Sequence, residues 1–498
     1  MKSRIFISSI FLFIFVLFTT AGTNLNFTQI HLEDNPLVAY RILVNSGAID
    51  DPEGKEGLNA LTAMTIANGG TGDLTFRDIQ QTLYPWAASI NVQFDKEVTV
   101  FTGSVHRDHL DDFYSLFSGL LLNPRFDESD FRRNKTNLLN YLRNTLRGTN
   151  DEELGKWALQ TFMYANHPYG NVDAGTVQGL ESITIDDMKN FYKKMYTRDN
   201  IRIGIAGGYR KSLIEKMDED FATLPAGKPE RIELPEPESI EDIEVLIVEK
   251  PNRATAISMG FPIDITRADK DFYTLMVANS YFGEHRTFNG VLMNELRGLR
   301  GLNYGTYSYI ENFIQHGGST LMLPNVPRRQ QYFSIWIRPV EHATNHFSLR
   351  LALYELEDLI ENGLTEEAFE ATRDYMINFS KLWTQTISRR LGYMMDSEWY
   401  GTKYFIDKIE EELMNLTVDD VNRAIREHLQ AENIKVAAVT ANAQEFKNAL
   451  LNNTPSPISY SGNVDDSVKA KDEIVKNFKL TINPERVRIV PVSEMFEK

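Results

Sequence analysis

The chain contains an internal repeat, and this repeat constrains its fold more than any other sequence feature. Residues 183–201 begin Ile-Thr-Ile-Asp-Asp-Met and end Asp-Asn-Ile; residues 416–434 begin Leu-Thr-Val-Asp-Asp-Val and end Glu-Asn-Ile, with no gap between the copies. In each copy a Thr precedes an Asp by three residues, the pattern that caps a helix N-terminus. The two copies begin at residues 183 and 416, which is a period of 233 residues (416 − 183). Solenoid repeats are only about 20–50 residues long, so this period predicts duplication of a whole domain.

Each half of the chain combines runs of strand-like segments with runs of helix-like segments. This order favours an α+β fold over a parallel α/β sheet. We therefore predict two tandem homologous domains, each an antiparallel sheet packed with helices. The strand-like segments are 37–44, 89–105, 244–249 and 331–338, and the helix-like segments are 110–122, 128–147, 347–362 and 366–383.

The domain boundaries are predicted from composition. The chain has 498 residues and 42% hydrophobic content, enough for more than one core. Residues 226–240 carry Pro229, Pro235 and Pro237 among charged residues, which is typical of a semi-rigid linker. We predict an N-terminal domain over 25–225, a C-terminal domain over 241–452, and an ordered extension over 453–498 that packs on the body.

The N-terminus has the pattern of a secretory signal peptide, which we place at residues 1–22. Lys2 and Arg4 precede a mostly apolar run over 5–18, and the small residues at 20–22 offer a cleavage site. The run is shorter than the about 20 residues that span a membrane. We expect a periplasmic or secreted protein with a cleaved signal, and an uncleaved N-terminal anchor is the alternative.

Composition excludes several classes of function. The chain has no cysteine, which removes thiol nucleophiles, thiolate metal ligands, disulfides and lipid-modified cysteines. Its formal charge of −17 argues against nucleic acid or an anionic membrane surface as a partner. The same charge suits basic, extended peptides, although solubility explains it equally well.

Four short motifs carry a resemblance to a known family. They are Asp-Asp-Pro-Glu-Gly-Lys-Glu-Gly-Leu at 50–58, Leu-Asn-Pro-Arg-Phe at 122–126, His-Pro-Tyr-Gly at 167–170 and Arg-Gly-Leu-Asn-Tyr at 300–304. With the duplication, they make the chain resemble the two-domain bacterial subunits of the pitrilysin and mitochondrial-processing-peptidase superfamily of inverted zincins. The resemblance extends over residues 35–440.

The resemblance implies a zinc site whose residues are absent from this chain. Active members use His-x-x-Glu-His, in which two imidazoles bind zinc and the Glu is the general base. The matching positions are Ala60, Ala63 and Met64, and the family spacing places the third ligand at Asn140. None of these side chains offers the imidazole or carboxylate of a catalytic zinc site. We therefore expect no metal, no cofactor and no peptidase activity in this chain alone.

Two histidine pairs are the remaining candidates for catalysis or metal binding. His106 and His109 lie where a predicted strand gives way to a helix, and an exposed, capped helix start is the simpler interpretation. His342 and His346 are one helical turn apart but have no carboxylate in a motif relation to them. No Gly-x-Ser-x-Gly elbow occurs. A divergent enzyme with an unrecognised site stays an open hypothesis.

The resemblance further implies that Arg300 and Tyr304 bind substrate. In similar proteins an Arg and a Tyr of the second domain face the zinc and hold substrate carbonyls. A guanidinium fork and a phenol hydroxyl are suitable donors for that task. The alternative interpretation is that Arg300 is a surface ion-pair residue and that Tyr304 is a core aromatic on a strand over 304–310.

Together these features predict a non-catalytic subunit of an exported, heterodimeric zinc metallopeptidase. The partner would be a homologous subunit that carries the zinc, and an extended peptide would be bound by adding a strand to a sheet edge. The alternative is a stand-alone peptide-binding or scaffold dimer with no proteolytic partner. The sequence leaves the peptide specificity and the partner's identity open.

Overall fold

The structure is a computed structural model that describes residues 25–315 and 319–498. The predicted signal peptide lies outside the described residues. Among the helices that are described, none combines the length and the apolar character needed to cross a bilayer.

Two sheets repeat one topology. The first has the order β1-β5-β2-β4-β3, and the second has the order β6-β10-β7-β9-β8 with β11 added outside β6. The strands are β1 Asn26–His31, β2 Leu37–Val44, β3 Ser89–Phe94, β4 Thr99–His106, β5 Ile201–Gly207, β6 Ile243–Glu249, β7 Thr255–Ile263, β8 Thr306–Tyr309, β9 Gln331–Val340, β10 Lys435–Thr440 and β11 Ile482–Pro491.

The pairing confirms the predicted duplicated α+β architecture and adds one detail. In both sheets most neighbours are antiparallel, but β1 pairs in parallel with β5, and β6 pairs in parallel with β10 and β11. The sheets are thus mixed, although the prediction was of antiparallel sheets. A parallel pair needs a long crossover, and the helices between β1 and β5, or between β6 and β10, supply it.

The helices also occur in corresponding sets. They are α1 Leu58–Ala67, α2 Phe76–Leu83, α3 Leu110–Leu122, α4 Glu128–Asn140, α5 Asp151–Met163, α6 Val177–Ser182, α7 Ile185–Met195, α8 Lys211–Phe221, α9 Asp271–Phe282, α10 Asn345–Asn362, α11 Glu366–Trp383, α12 Ile387–Trp399, α13 Phe405–Met414, α14 Val418–His428, α15 Ala443–Leu451 and α16 Asp466–Val475. A π-helical segment, Tyr141–Thr149, joins α4 to α5.

The predicted helix caps are present in both copies. The backbone N–H of Asp187 donates to Thr184 Oγ1 over 3.2 Å, and that of Asp420 donates to Thr417 Oγ1 over the same distance. Each Asp accepts a hydrogen bond in return from the N–H of its Thr. The two N-terminal N–H groups are thereby satisfied reciprocally at α7 and α14.

Each domain covers one face of the other domain's sheet with a helix. Helix α5 of the first domain packs on β7 and β10, and α12 of the second packs on β1, β2 and β5. The approach of α12 is close: a Cβ added at Gly204 in β5 would lie 2.5 Å from Met395 Sδ. The contact between the domains therefore includes an apolar cluster, in which Leu43 and Ala206 of the first domain pack with Leu391 and Met395 of the second.

The C-terminal extension contacts both domains. Its strand β11 pairs with β6 at the edge of the second sheet. Met495 and Phe496 then enter the apolar core of the first domain. There the Phe496 carbonyl accepts from the Val177 N–H (3.0 Å), and the Met495 carbonyl accepts from Arg147 Nε (2.6 Å). The segment before β6, residues 225–241, contains no helix or strand, and the exact domain boundaries stay predictions.

Candidate functional site

Helix α1 carries apolar side chains at the three positions that the resemblance assigned to zinc chemistry. Ala60 and Ala63 are fully buried, and Met64 lines a cavity between the domains. The helix starts at Gly57, whose backbone is left-handed (φ 100°). A Cβ there would lie 2.8 Å from the Ala174 carbonyl oxygen, so the tight entry to α1 requires glycine.

The position of the third predicted ligand needs correction. Asn140 is the exposed last residue of α4, and its Oδ1 accepts a hydrogen bond from Asn144 Nδ2 (3.3 Å). The next residue, Tyr141, begins the π-helical segment and lines the cavity with Met64. Asn137, Leu138 and Tyr141 therefore line the cavity with Met64, and the position counted from the family spacing, Asn140, does not.

These residues do not fit a zinc ion. Two alanines, a thioether and a phenol offer none of the imidazole and carboxylate ligands that a catalytic zinc requires. Burial raises the pKa of Tyr141 well above its ordinary value, which disfavours a phenolate. The nearby carboxylate of Asp173 is already paired with Lys96 (2.8 Å).

Within residues 25–315 and 319–498, one group of three potential metal ligands comes together elsewhere. It consists of Asp271, Glu427 and His428 in the second domain. The Arg423 guanidinium donates to both carboxylates, to Asp271 over 2.7 Å and to Glu427 over 2.5 Å. The cation of this group is thus an arginine.

Met64, at one of the positions that the resemblance assigned to zinc chemistry, lies at the rim of a cavity lined by aromatic side chains. We call it the aromatic cavity. Its volume is about 390 Å³. Helices of the first domain form one wall, and β9 of the second domain forms the other. The lining residues include Met64, Phe94, Tyr141, Glu153, Lys156, Trp157, Gln160, Asp173, Asn312, Tyr332 and Trp336.

A hydrogen-bond chain crosses the wall of the aromatic cavity from one domain to the other. Gln160 Nε2 on α5 donates to Tyr332 Oη on β9 (2.9 Å), and that hydroxyl donates to Asn312 Oδ1 (3.1 Å). Tyr332 and Gln160 are both buried, so the chain forms in a low-dielectric environment. It fixes the orientation of α5 relative to β9.

Arg300 lies inside the protein, so its predicted contact with substrate is not supported by its position. Its Nε donates to Asp472 Oδ1 (2.7 Å) and its Nη1 to Glu295 Oε2 (2.6 Å). The guanidinium is fully buried by these partners. Because Asp472 belongs to the C-terminal extension, Arg300 anchors that extension. The alternative stated above was thus right that Arg300 makes ion pairs and wrong that it lies at the surface.

Tyr304 is at the surface, where it is paired with a different arginine. Its side chain is 76% exposed. The Arg297 guanidinium lies over the Tyr304 ring (5.8 Å) and over the exposed Phe288 ring (5.2 Å), and it also donates to the Tyr304 carbonyl (3.3 Å). We call Phe288, Arg297 and Tyr304 the Arg297 surface. Sequence reasoning missed Arg297, because the chain turns at two glycines between it and Tyr304.

The histidine pairs make bonds within the protein. His106 Nδ1 accepts from the Asp108 N–H (3.3 Å), and the His109 ring stacks on Trp86 with ring centres 5.0 Å apart. His342 Nδ1 shares a hydrogen bond with Thr255 Oγ1 (2.9 Å). His346 is buried, and burial lowers its pKa to about 3. The geometry agrees with capping and packing roles for these side chains.

Comparison with known proteins finds family models and relatives that match most of the chain. The family model for insulinase (peptidase family M16) matches residues 28–176, and the model for the peptidase M16 inactive domain matches residues 182–376. The chain is 22% identical over 397 residues to the "non-peptidase homolog YmxG" of Helicobacter pylori, covering 79% of this chain and 86% of that protein.

Solved structures share the fold. A peptidase M16 inactive domain from Pseudomonas fluorescens has a TM-score of 0.70 at 21% identity and covers 83% of this chain and 94% of its own. The periplasmic protease PqqL from Escherichia coli has a TM-score of 0.65 at 14% identity, covering 92% of this chain and 50% of its own. At these identities the likeness establishes the fold alone.

Proposed function

Because the chain belongs to the peptidase M16 family and is an inactive, non-peptidase homologue within it, we propose that it is the non-catalytic subunit of an exported zinc metallopeptidase. The zinc and the general base would come from a homologous partner subunit. This chain would supply a binding surface for peptide and donors for the partner's reaction. One protein of similar fold is a periplasmic protease, which agrees with the proposed location.

The observation that carries the proposal is the pairing of an apolar α1 with an exposed Arg297 surface in one chain. Helix α1 has none of the side chains needed for hydrolysis. Arg297 has no ion-pair partner among the described residues, and its planar guanidinium is held between two rings. The half-buried guanidinium of Arg297 and the exposed phenol hydroxyl of Tyr304 can donate to carbonyl oxygens of a bound chain. We therefore propose Arg297 and Tyr304, in place of Arg300 and Tyr304, as the pair.

A sheet edge supports the binding of extended peptide. Strand β3 is the last strand of the first sheet, and in the part of the chain that is described it pairs only with β4. Its outer backbone N–H and C=O groups can therefore accept an added strand. Recognition through the backbone would make binding weakly dependent on peptide sequence.

The test is a reconstitution with three arms. Cleavage of an unstructured peptide is measured for this chain alone, for a zinc-bearing homologue from the same organism alone, and for their mixture. The proposal expects turnover in the mixture only. Equal turnover by the zinc-bearing homologue alone would contradict it, and the stand-alone scaffold would then be the better interpretation.

The residue-level test uses Arg297→Ala in the mixture. Loss of one donor to a developing oxyanion lowers kcat by about 10²-fold or more. The matched control is Arg132→Ala, which removes an exposed arginine whose partner is Glu128 on the same helix. Size-exclusion chromatography checks that assembly is unchanged. Full turnover in the Arg297→Ala mixture would exclude the proposed role of this arginine.

A further inference from the structure

Arg297 belongs to a π-helical turn, Met293–Gly298. In this turn the Leu299 N–H donates to the backbone carbonyl of Asn294 over 2.8 Å. A π-helical turn contains one residue more than an α-helical turn, and such turns are rare. Successive residues of a helix are about 100° apart around its axis, so relaxation to α-helical pairing would point the Arg297 side chain in another direction. The direction of Arg297 therefore depends on the contacts that hold this turn.

Glu295, in the same turn, is bonded to two cations. Arg300 Nη1 donates to Glu295 Oε2 (2.6 Å) and to the Glu295 backbone carbonyl (2.9 Å). Lys471 Nζ donates to the other carboxylate oxygen, Glu295 Oε1 (3.0 Å). Hydrogen bonds between ionised groups are stronger than those between neutral groups. The two cations therefore hold the turn by both the side chain and the main chain of Glu295.

One of these cations comes from the C-terminal extension. Lys471 lies on α16, and the next residue, Asp472, accepts from Arg300 Nε (2.7 Å). Lys471 Nζ also donates to Glu355 Oε1 on α10 (2.9 Å). Helix α16 therefore joins the π-helical turn to α10. The family models match residues 28–176 and 182–376, so the extension that makes this connection lies outside the residues that they match.

A polar cavity of about 380 Å³ is lined by residues of the π-helical turn and of α10. Its walls carry the carboxylates of Glu295, Glu355 and Asp358, and among the described residues that line it the cation is Lys471. Burial, and next the charge of Glu295, raise the pKa of Glu355 to about 7, which shows that the cluster is short of positive charge. Without Lys471 the carboxylates would repel each other across the cavity. The turn would then lose the contact that holds it to α10.

The Lys471 contacts are partly exposed, which limits their contribution to stability. The Lys471 side chain is 32% exposed. Ion pairs of partly exposed side chains contribute little to the free energy of unfolding. A charge cluster can nevertheless fix one arrangement of the groups around it. We therefore expect Lys471 to matter more for the position of the turn than for the stability of the chain.

We propose that the C-terminal extension positions Arg297 for the reaction of the partner subunit, with Lys471 as the positioning residue that holds Glu295 and the π-helical turn. Lys471 acts through Glu295 and does not itself donate to the substrate. The effect on turnover rests on the function proposed above, whereas the restraint of the turn by α16 does not. A chain with the same two domains and no extension would hold the Arg297 surface less firmly.

The first test is hydrogen exchange of the isolated chain, measured by mass spectrometry. Lys471→Met removes the charge and keeps most of the side-chain volume, and we expect exchange over residues 293–302 to become about tenfold faster. Lys469→Met is the matched control, because Lys469 lies on the same helix, is 54% exposed and pairs with Asp466. It should leave exchange of this segment unchanged. Equal exchange in Lys471→Met and the original chain would overturn the proposal.

The second test measures steady-state kinetics in the mixture with the zinc-bearing homologue. Lys471→Met should lower kcat about tenfold and change KM by less than about twofold, because a small displacement of a transition-state donor is costly. Lys471→Arg keeps the charge and should restore most of kcat. The midpoint of thermal unfolding should fall by less than about 2 °C. A rise in KM with unchanged kcat would overturn the positioning role.

The two tests separate this inference from the proposed function. If Arg297→Ala lowers kcat and Lys471→Met does not, the extension has no positioning role and the proposed function stands. If the mixture of original chains shows no turnover, the proposed function fails and hydrogen exchange alone decides whether α16 restrains the turn. Faster exchange in Lys471→Met would then support that restraint.

Discussion

The two domains have the same topology but differ at one edge of their sheets. In the first sheet this edge is formed by β1, which has no further strand beside it among the described residues. In the second, the equivalent strand β6 is covered by β11 of the extension, which also places Asp472 on Arg300. Copies of one fold have thus acquired different surroundings, and the second domain is stabilised by a segment that the first domain lacks in its own half.

The two domains also differ in the side chains that they contribute to the candidate functional site. The first domain retains the helix of a hydrolytic centre and fills its active positions with apolar side chains. The second domain retains a half-buried arginine, Arg297, beside an exposed tyrosine, Tyr304. Buried alanines can be explained by packing alone. An arginine beside two exposed rings gains little stability from that position. The second domain therefore gives the stronger indication of function.

The largest effect is expected when β11 and the residues after it are removed by ending the chain at residue 481. This deletion tests whether the extension stabilises the second domain. We expect a loss of more than about 5 kcal/mol in the free energy of unfolding, because several buried apolar side chains are lost and the edge of β6 is opened. Urea denaturation measures the change. Phe496→Ala should cost about 3 kcal/mol by itself, and Phe496→Leu much less. An unchanged urea midpoint would show that the extension only rests on the surface.

A second test compares how much Arg300 and Arg297 contribute to stability. Arg300→Ala should destabilise the chain by about 1.5–3 kcal/mol, because it removes the charged hydrogen bonds to Asp472 and Glu295. The two carboxylates keep Tyr460 and Lys471 as partners. Arg297→Ala should change stability by less than about 0.5 kcal/mol, since it breaks no ion pair described here. Thermal unfolding of both variants decides the matter. Equal losses would contradict the assignment of one arginine to structure and the other to the surface.

A third test concerns pH. His346 is the second residue of α10 and is buried, whereas the second residue of α3, Asp111, is exposed and paired with Arg210. Burial, and next the charge of Arg350, lower the pKa of His346 to about 3, against about 6.5 in the unfolded chain. The unfolded chain therefore binds the proton more tightly, and stability falls as pH decreases from 6.5 toward 3.

The measurement compares His346→Phe with the original chain. Between pH 7 and pH 4 the original should lose about 3 kcal/mol more than the variant. Parallel pH profiles for His346→Phe and the original chain would rule out this source of acid sensitivity.

The smallest test asks whether equivalent caps are equivalent in energy. Thr184→Ala and Thr417→Ala remove the same hydrogen bond from α7 and α14. Each should cost about 1 kcal/mol, and conversion to Ser should restore most of it. A difference greater than about 1 kcal/mol between the two would show that the surroundings of the helix, and not the cap, determine the effect.

Local patterns predicted the repeated elements well, because a capping box and an alternating strand depend on neighbouring residues. Long-range pairing could not be predicted in this way. The partner of Arg300, Asp472, lies far along the chain, so nothing near Arg300 indicates that its guanidinium is buried. The π-helical turn at Tyr141 was also missed, and it is Tyr141, not Asn140, that lines the aromatic cavity.

The position of Met495 and Phe496 has a consequence for biosynthesis. These residues leave the ribosome after both domains have been synthesised, yet they complete the hydrophobic interior of the domain that was made first. The usual order, in which an N-terminal domain finishes folding while the rest is translated, cannot hold in full for this chain. A polypeptide that is stalled or clipped before residue 495 therefore keeps an apolar gap exposed to chaperones and proteases.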